Sequence, residues 1–297
     1  MAARIVTAAG AGIITSTAAS TAVALLPPER RGKALALVMG GLSSSTALGL
    51  PLGTLIGGTD WRLTLWAVAG AGLVAAVGIV VGLPAVTLPV AGLRSRLAPL
   101  RQPWVLGVLV VTMAALAGSY VLYPYVATAT DGVTGGSVAT LTILLFAWGA
   151  GTLTGTLLAG PLTDRFGPER VLTGSLLAAT LVLAISPVML TGPAPALVWA
   201  ALWGLCIGVP VIPQQHRLVA HAPAAAPILL GLNSAAVQVG IAAGGAVGGL
   251  AQHWLAPSQL GWPAAVITAL AFALAVVTTR RRSGTSPSLH LTSKERR

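Results

Sequence analysis

The sequence predicts an all-α integral membrane protein with about nine transmembrane helices. Three observations lead there. Only 8 % of its 297 residues are charged, seven long runs carry no Asp, Glu, Lys or Arg, and the basic residues fall in alternate gaps between apolar segments. A helix crossing bilayer hydrocarbon takes about 20 mostly apolar residues. The uncharged runs Ile5 to Pro28, Ala34 to Thr59, Leu63 to Leu93, Gln102 to Thr130 and Gly132 to Thr163 therefore hold one helix each. The longer runs, Val171 to His216 and Leu218 to Thr279, hold two each.

In chain order the spans are Ile5–Leu26, Ala34–Gly57, Leu63–Leu83, Trp104–Val126, Ser137–Gly160, Val171–Leu190, Pro195–Ile212, Pro227–Leu250 and Pro263–Thr279. Breaks within the long runs are expected at Pro187 to Pro195, Pro210 to Pro223 and Gln252 to Gly261, where Pro, Gly and polar residues gather. The stretch Pro84 to Pro103, with three Arg, reads as the connector between two halves, and the Ser- and Arg-rich tail after Thr279 as disordered. The expected organisation is thus 1–83 as the remainder of an amino-terminal half, 84–103 as a cytoplasmic linker, 104–279 as the carboxy-terminal half and 280–297 as a basic tail.

Charge sets the orientation. One set of alternate loops holds Arg30, Arg31, Lys33, Arg94, Arg96, Arg101, Arg165, Arg170 and Arg217, together with the six basic residues of the tail. The other set holds only Arg62. Retained loops are rich in Lys and Arg, so the carboxy terminus is expected in the cytoplasm and Met1 outside. The net charge of +11 is then explained by topology and anionic headgroups. Nucleic acid is not an expected partner, since no basic stripe with interleaved aromatics lies outside the spans. Cys206 is the one cysteine, sits in an apolar span and forms no intrachain disulfide. No secretory signal peptide is visible at the amino terminus.

The glycines reveal an internal repeat. Gly40, Gly49, Gly53, Gly57 and Gly58 match Gly231, Gly240, Gly244, Gly248 and Gly249, each pair separated by 191 positions. Such repeated halves build many transporters. If the second span matches the eighth, the spans from Trp104 to Leu190 lack partners, which would lie upstream of Met1. The expectation is a twelve-span protein of which this chain carries the last nine.

The second span reads Gly49-Leu-Pro51-Leu-Gly53-Thr and closes on Trp61-Arg62. Small residues four apart let helix backbones approach closely, and Pro51 removes a backbone donor and bends the helix. Helix packing alone explains this pattern; a bent helix between moving halves explains it too. The segment resembles the fifth-span signature of the major facilitator superfamily, in the branch of drug and sugar proton antiporters similar to arabinose-efflux permeases. Arg4 followed by Gly10 and Gly12 resembles the fourth-span motif of that family, with Ala8 where many members carry Gly. The resemblance implies a role for Arg4 in proton coupling and substrate contact; the other reading makes it an aqueous residue. By sequence it is the one charged residue expected to reach into a span.

The link Gly160-Pro-Leu-Thr-Asp164-Arg165-Phe-Gly167-Pro-Glu-Arg resembles the family's Gly-x-x-x-Asp-Arg-x-Gly loop in its second-half copy, Pro168 and Glu169 replacing the usual basic pair. Asp164 can face the positive end of a neighbouring helix and Arg165 the carbonyl end of its own, while Gly167 permits a tight reversal. Gly49, Pro51, Gly53, Gly160, Asp164, Arg165, Gly167, Gly240 and Gly244 are accordingly the candidate gating residues.

Polar side chains within spans are the substrate candidates: Tyr120, Tyr123 and Tyr125 around Pro124, then Trp148, Asn233 and Gln238. Helix–helix hydrogen bonding is the alternative for each. The resemblance favours a substrate path, with Tyr123 and Asn233 foremost. Enzymatic chemistry finds no footing. His216 and His221 lie about 140° apart on a helix, none of the six carboxylates falls in a span, and no phosphate loop or Ser–His pair is present. No metal or cofactor is expected.

The resemblance implies a monomeric secondary transporter of the major facilitator fold in the cytoplasmic (inner) cell membrane. It would export a drug-like compound or sugar against entering protons by alternating access, surrounded by membrane lipid. The coupling acid would lie on the absent spans. The competing reading is an inactive truncated transporter, or a non-transporting helix bundle that partners another protein.

Overall fold

A computed structural model describes residues 31–58, 60–84 and 98–283, with six isolated positions nearer the amino terminus. The first span and Arg4 lie largely outside the described residues, as do most of the linker and the tail beyond Ser283. Among the described residues every regular element is a helix. The long ones are α1 (Arg31–Gly57), α2 (Trp61–Gly82), α3 (Pro103–Leu122), α4 (Val138–Phe166), α5 (Pro168–Ala184), α6 (Pro193–Gly208), α7 (Val211–His221), α8 (Ala226–Ala251) and α9 (Gly261–Ser283).

Local chemistry marks the ends. Asp60 caps α2 by accepting from the Arg62 amide at 2.9 Å, and Ser137 caps α4 through the Thr140 amide at 3.3 Å. Pro103, Pro168 and Pro193 open α3, α5 and α6, where a missing N–H costs nothing. Gly167 closes α4 at φ +84°, a conformation that disfavours any side chain. Pro124 converts the end of α3 into a 3-10 turn, Tyr123–Tyr125, because its nitrogen cannot continue the helical ladder.

Six stretches are long and apolar enough to cross a bilayer: Trp61–Gly82, Pro103–Thr134, Val138–Phe166, Pro193–His221, Ile228–Ala251 and Pro257–Thr279. α6 packs on α4, α8 and α9 pack on α3, α9 also meets α5, and α1 lies along α4. α2 buries none of its residues against the described protein, yet it exposes Trp66, Leu73, Val74, Val80 and Val81. An apolar surface turned outward this way suits hydrocarbon rather than water.

One expectation needs correction. The segment after Pro210 was expected to be a loop carrying Arg217; it is the helix α7, and Arg217 is fully buried within the bundle. Pro213 sits in its first turn, so proline there breaks no hydrogen bond. Arg217 is therefore a charged side chain inside a membrane-spanning stretch, a place the sequence reserved for Arg4.

The glycines of the two matched helices differ in what the described residues place against them. Among the described residues a Cβ on Gly49 meets nothing within 4 Å, and one on Gly53 reaches only Thr64 Cγ2 at 3.4 Å. Their repeat partners are different. A Cβ on Gly240 would fall on the Met113 carbonyl oxygen, one on Gly244 on that of Ala117, and one on Gly248 on that of Val121. α8 thus lies with its backbone against α3. A second contact of this kind joins α4 to α6, where Gly151 and Gly155 meet the carbonyls of Ala201 and Leu205. Gly204 and Gly208 reciprocate on those of Trp148 and Thr152. Thr156 strengthens it by donating to the Gly208 carbonyl at 3.2 Å.

Candidate functional site

Two clusters of chemistry-bearing side chains sit at different levels of α3. The first gathers Tyr120 and Tyr123 with Trp148 of α4 and Trp203 and Trp199 of α6. The Tyr123 ring lies 4.2 Å from Trp148, 5.2 Å from Tyr120 and 6.1 Å from Trp203, centroid to centroid. Trp203 meets Trp148 at 5.8 Å and Trp199 at 5.1 Å. These are favourable aromatic separations.

The wall of this cluster is fixed. Trp199 donates its indole N–H to the Val182 carbonyl at 2.8 Å, and Trp203 donates to Ser119 Oγ at 3.3 Å. Trp148 is buried, and its Nε1 has no partner among the described residues. Tyr120 and Tyr123 are half-buried, and neither phenol bonds a described residue. The helix break at Pro124 places Tyr123 just past the end of α3. Tyr125 turns elsewhere and donates to the Gly245 carbonyl at 2.9 Å, which makes it a helix-packing residue.

The second cluster lies about two helical turns away along α3, the eight residues from Thr112 to Tyr120 spanning about 12 Å. Thr112 Oγ1 donates to Asn233 Oδ1 at 2.9 Å and accepts from Gln214 Nε2 at 3.2 Å. Gln214 Nε2 also reaches the Val108 carbonyl at 2.8 Å. Arg217 donates to Gln214 Oε1 at 2.8 Å and to Thr278 Oγ1 at 3.3 Å, with its guanidinium 5.6 Å from the Trp104 ring centre. Beside it His221 stacks on Trp104 at 4.4 Å and pairs with Gln102 at 3.1 Å. Desolvating a guanidinium is costly, and these hydrogen bonds and the ring face offset that cost. The network ties α3, α7, α8 and α9 together.

The structure thus separates the two foremost substrate candidates. Tyr123 belongs to the aromatic cluster with Tyr120 and Trp148. Asn233 is fully buried in the arginine network, though its Nδ2 has no partner among the described residues. Gln238 is exposed on α8 and joins neither cluster. Sequence reading missed Arg217, Gln214, Thr112 and Trp203. One available signal was the polar pair Gln214 and Arg217, three apart and so on one helical face, in a segment without Gly.

Of the gating candidates, Pro51 lies inside α1 and Gly160 near the end of α4, where a Cβ would meet nothing within 4 Å among the described residues. Asp164 is exposed and forms no ion pair with a described residue. The Arg165 guanidinium lies 5.2 Å from the Phe166 ring centre.

The sequence model of the Major Facilitator Superfamily matches this chain over residues 1–129 and again over residues 108–296. Together the two matches take in nearly its whole length.

Proposed function

Because the chain belongs to the Major Facilitator Superfamily, a family of membrane transporters and not of enzymes, we propose that it exports a small organic molecule, a drug-like compound or sugar, in exchange for protons. The observation that carries the substrate reading is the aromatic cluster. A fixed wall of Trp148, Trp199 and Trp203 backs two half-buried tyrosines whose hydroxyls bond no described residue. Such a surface offers flat apolar contact together with phenolic donors and acceptors, the usual makeup of a small-molecule site. Direction and proton coupling rest on the resemblance to the drug and sugar antiporters, as do the placement in the cell membrane with a cytoplasmic carboxy terminus and the monomeric state. In this reading the halves rock about the site and expose it alternately to either side.

The test is transport by the full chain in sealed vesicles carrying an imposed pH gradient, with a panel of aromatic dyes and sugars. Uptake that collapses when the gradient is dissipated is the expected result. Movement indifferent to the gradient excludes antiport, and no movement of any compound leaves the non-transporting helix bundle in its place. Tyr123→Ala is expected to raise the half-saturating substrate concentration up to about tenfold, since an aromatic pair is worth roughly 0.5–1.5 kcal/mol beyond area. Tyr123→Phe, which keeps the ring, should shift it less.

Asp164 serves in this proposal as a gate, a carboxylate in the last turn of α4 that can face the positive amino end of a neighbouring helix, where negative charge is favoured by about 0.3–1 kcal/mol at exposed sites. Asp164→Asn should leave the fold intact and change the balance of access states by up to about fivefold. The readout is thiol labelling of a cysteine introduced on the outer side of Tyr123. Unchanged labelling reduces the loop to a topological anchor.

A further inference from the structure

We propose that the groove where α4, α5 and α6 meet holds an acyl chain of an anionic phospholipid, with the lipid's phosphate on Arg170. The groove has a volume of about 360 Å3 and opens outward. Phe166 of α4, Leu205 of α6 and the small residues Gly174 and Ala178 of α5 line it, and Arg170 is the one charged residue among those lining it. Arg170 is thus the one cation beside a lining that is otherwise almost wholly apolar, which suits an anionic amphiphile with its chain in the groove and its charge at the edge.

The placement agrees with this occupant. Arg170 stands in the first turn of α5, beside the Gly167 turn that the basic-residue pattern assigns to the cytoplasmic surface. From there to Ala178 the groove descends about 12 Å along α5, at 1.5 Å per residue, into the apolar layer. Asp164 and Glu169 occupy the same link but do not line the groove. Basic pockets between membrane helices on the cytoplasmic side bind anionic headgroups, and each Lys or Arg near the surface contributes about fivefold to the attraction.

The lining supplies a clean variant. A Cβ on Gly174 meets nothing within 4 Å among the described residues, so Gly174→Leu fills the groove without prying helices apart. The full chain, purified in detergent and offered equimolar phosphatidylglycerol and phosphatidylcholine, is examined by native mass spectrometry. The parent protein is expected to retain phosphatidylglycerol about fivefold over phosphatidylcholine. Arg170→Gln should remove that preference while neutral lipid still binds, and Gly174→Leu should lower retention of both. No preference in the parent protein, a preference that survives Arg170→Gln, or undiminished retention in Gly174→Leu overturns the proposal.

Discussion

Gly204→Leu is expected to abolish accumulation of the protein in the membrane. A Cβ at this position already falls on the carbonyl oxygen of Trp148 and lies 3.0 Å from the amide nitrogen of Thr152. Overpacking costs about 1–3 kcal/mol where side chains can yield. Here the obstacle is the backbone of α4, which cannot rotate away, so the two helices must part. Parting them also pulls Trp203 from Trp148 and Thr156 from the Gly208 carbonyl. Gly160→Ala is the matched control, because its Cβ enters open space and alanine favours a helix over glycine by about 1 kcal/mol. Measured as folded protein recovered from membranes by size-exclusion chromatography, Gly204→Leu should give almost none and Gly160→Ala parental amounts. Parental recovery of Gly204→Leu would show that α4 and α6 do not meet backbone to backbone.

The second large effect is expected at Gln214. Its Oε1 accepts from Arg217 and its Nε2 donates to the Val108 carbonyl and to Thr112, all within the bundle. Gln214→Leu keeps the size but strips an acceptor from a buried guanidinium. A hydrogen bond to a charged group is worth about 1.5–3 kcal/mol, and breaking a buried charged contact from one side costs about 3–5 kcal/mol. The single variant should therefore lower the melting temperature of the detergent-solubilised protein sharply. Gln214→Leu combined with Arg217→Met should recover part of the loss, since apolar replacement of both partners removes the desolvated charge. A double variant less stable than Gln214→Leu alone would mean that the charge itself is needed by other neighbours.

The two cases show how unevenly the sequence disclosed the molecule. Membrane spans were legible because the bilayer imposes a length and a composition that can be counted, and α1, α2, α3 and α8 begin and end within about four residues of expectation, whereas α4 runs on to Phe166 past the expected end at Gly160. Gly240 and Gly244 were legible as small residues at helical spacing. Gly151, Gly155, Gly204 and Gly208 carry the same four-residue spacing but belong to no internal repeat with α1, so spacing alone did not single them out. Spacing announces that a helix can be approached closely. It does not say by which neighbour, and in α1 the described neighbours leave Gly49 open.

The candidate site divides along the same line. Tyr120, Tyr123 and Trp148 could be named as polar or aromatic residues inside spans, but Trp203 joined them only through the contact of α4 with α6. Arg217 was counted among loop charges, a reasonable inference from composition, since a proline at each end of its segment suggests a break. Burial reversed it, because α7 turns Gln214 and Arg217 toward α3 and α9, where Thr112 and Thr278 supply partners.

By itself the sequence determined that this is an all-helical membrane protein, where most of its helices run and that it belongs with the major facilitator transporters, because hydrocarbon solvation and local motifs act on each segment separately. Only the tertiary structure decided that Arg217 is interior, that Tyr123 and Asn233 lie in separate clusters, and that the backbone contacts are α3 with α8 and α4 with α6. Those outcomes depend on which helix faces which, and that choice is made by side-chain shape and hydrogen-bond satisfaction between segments far apart in the chain.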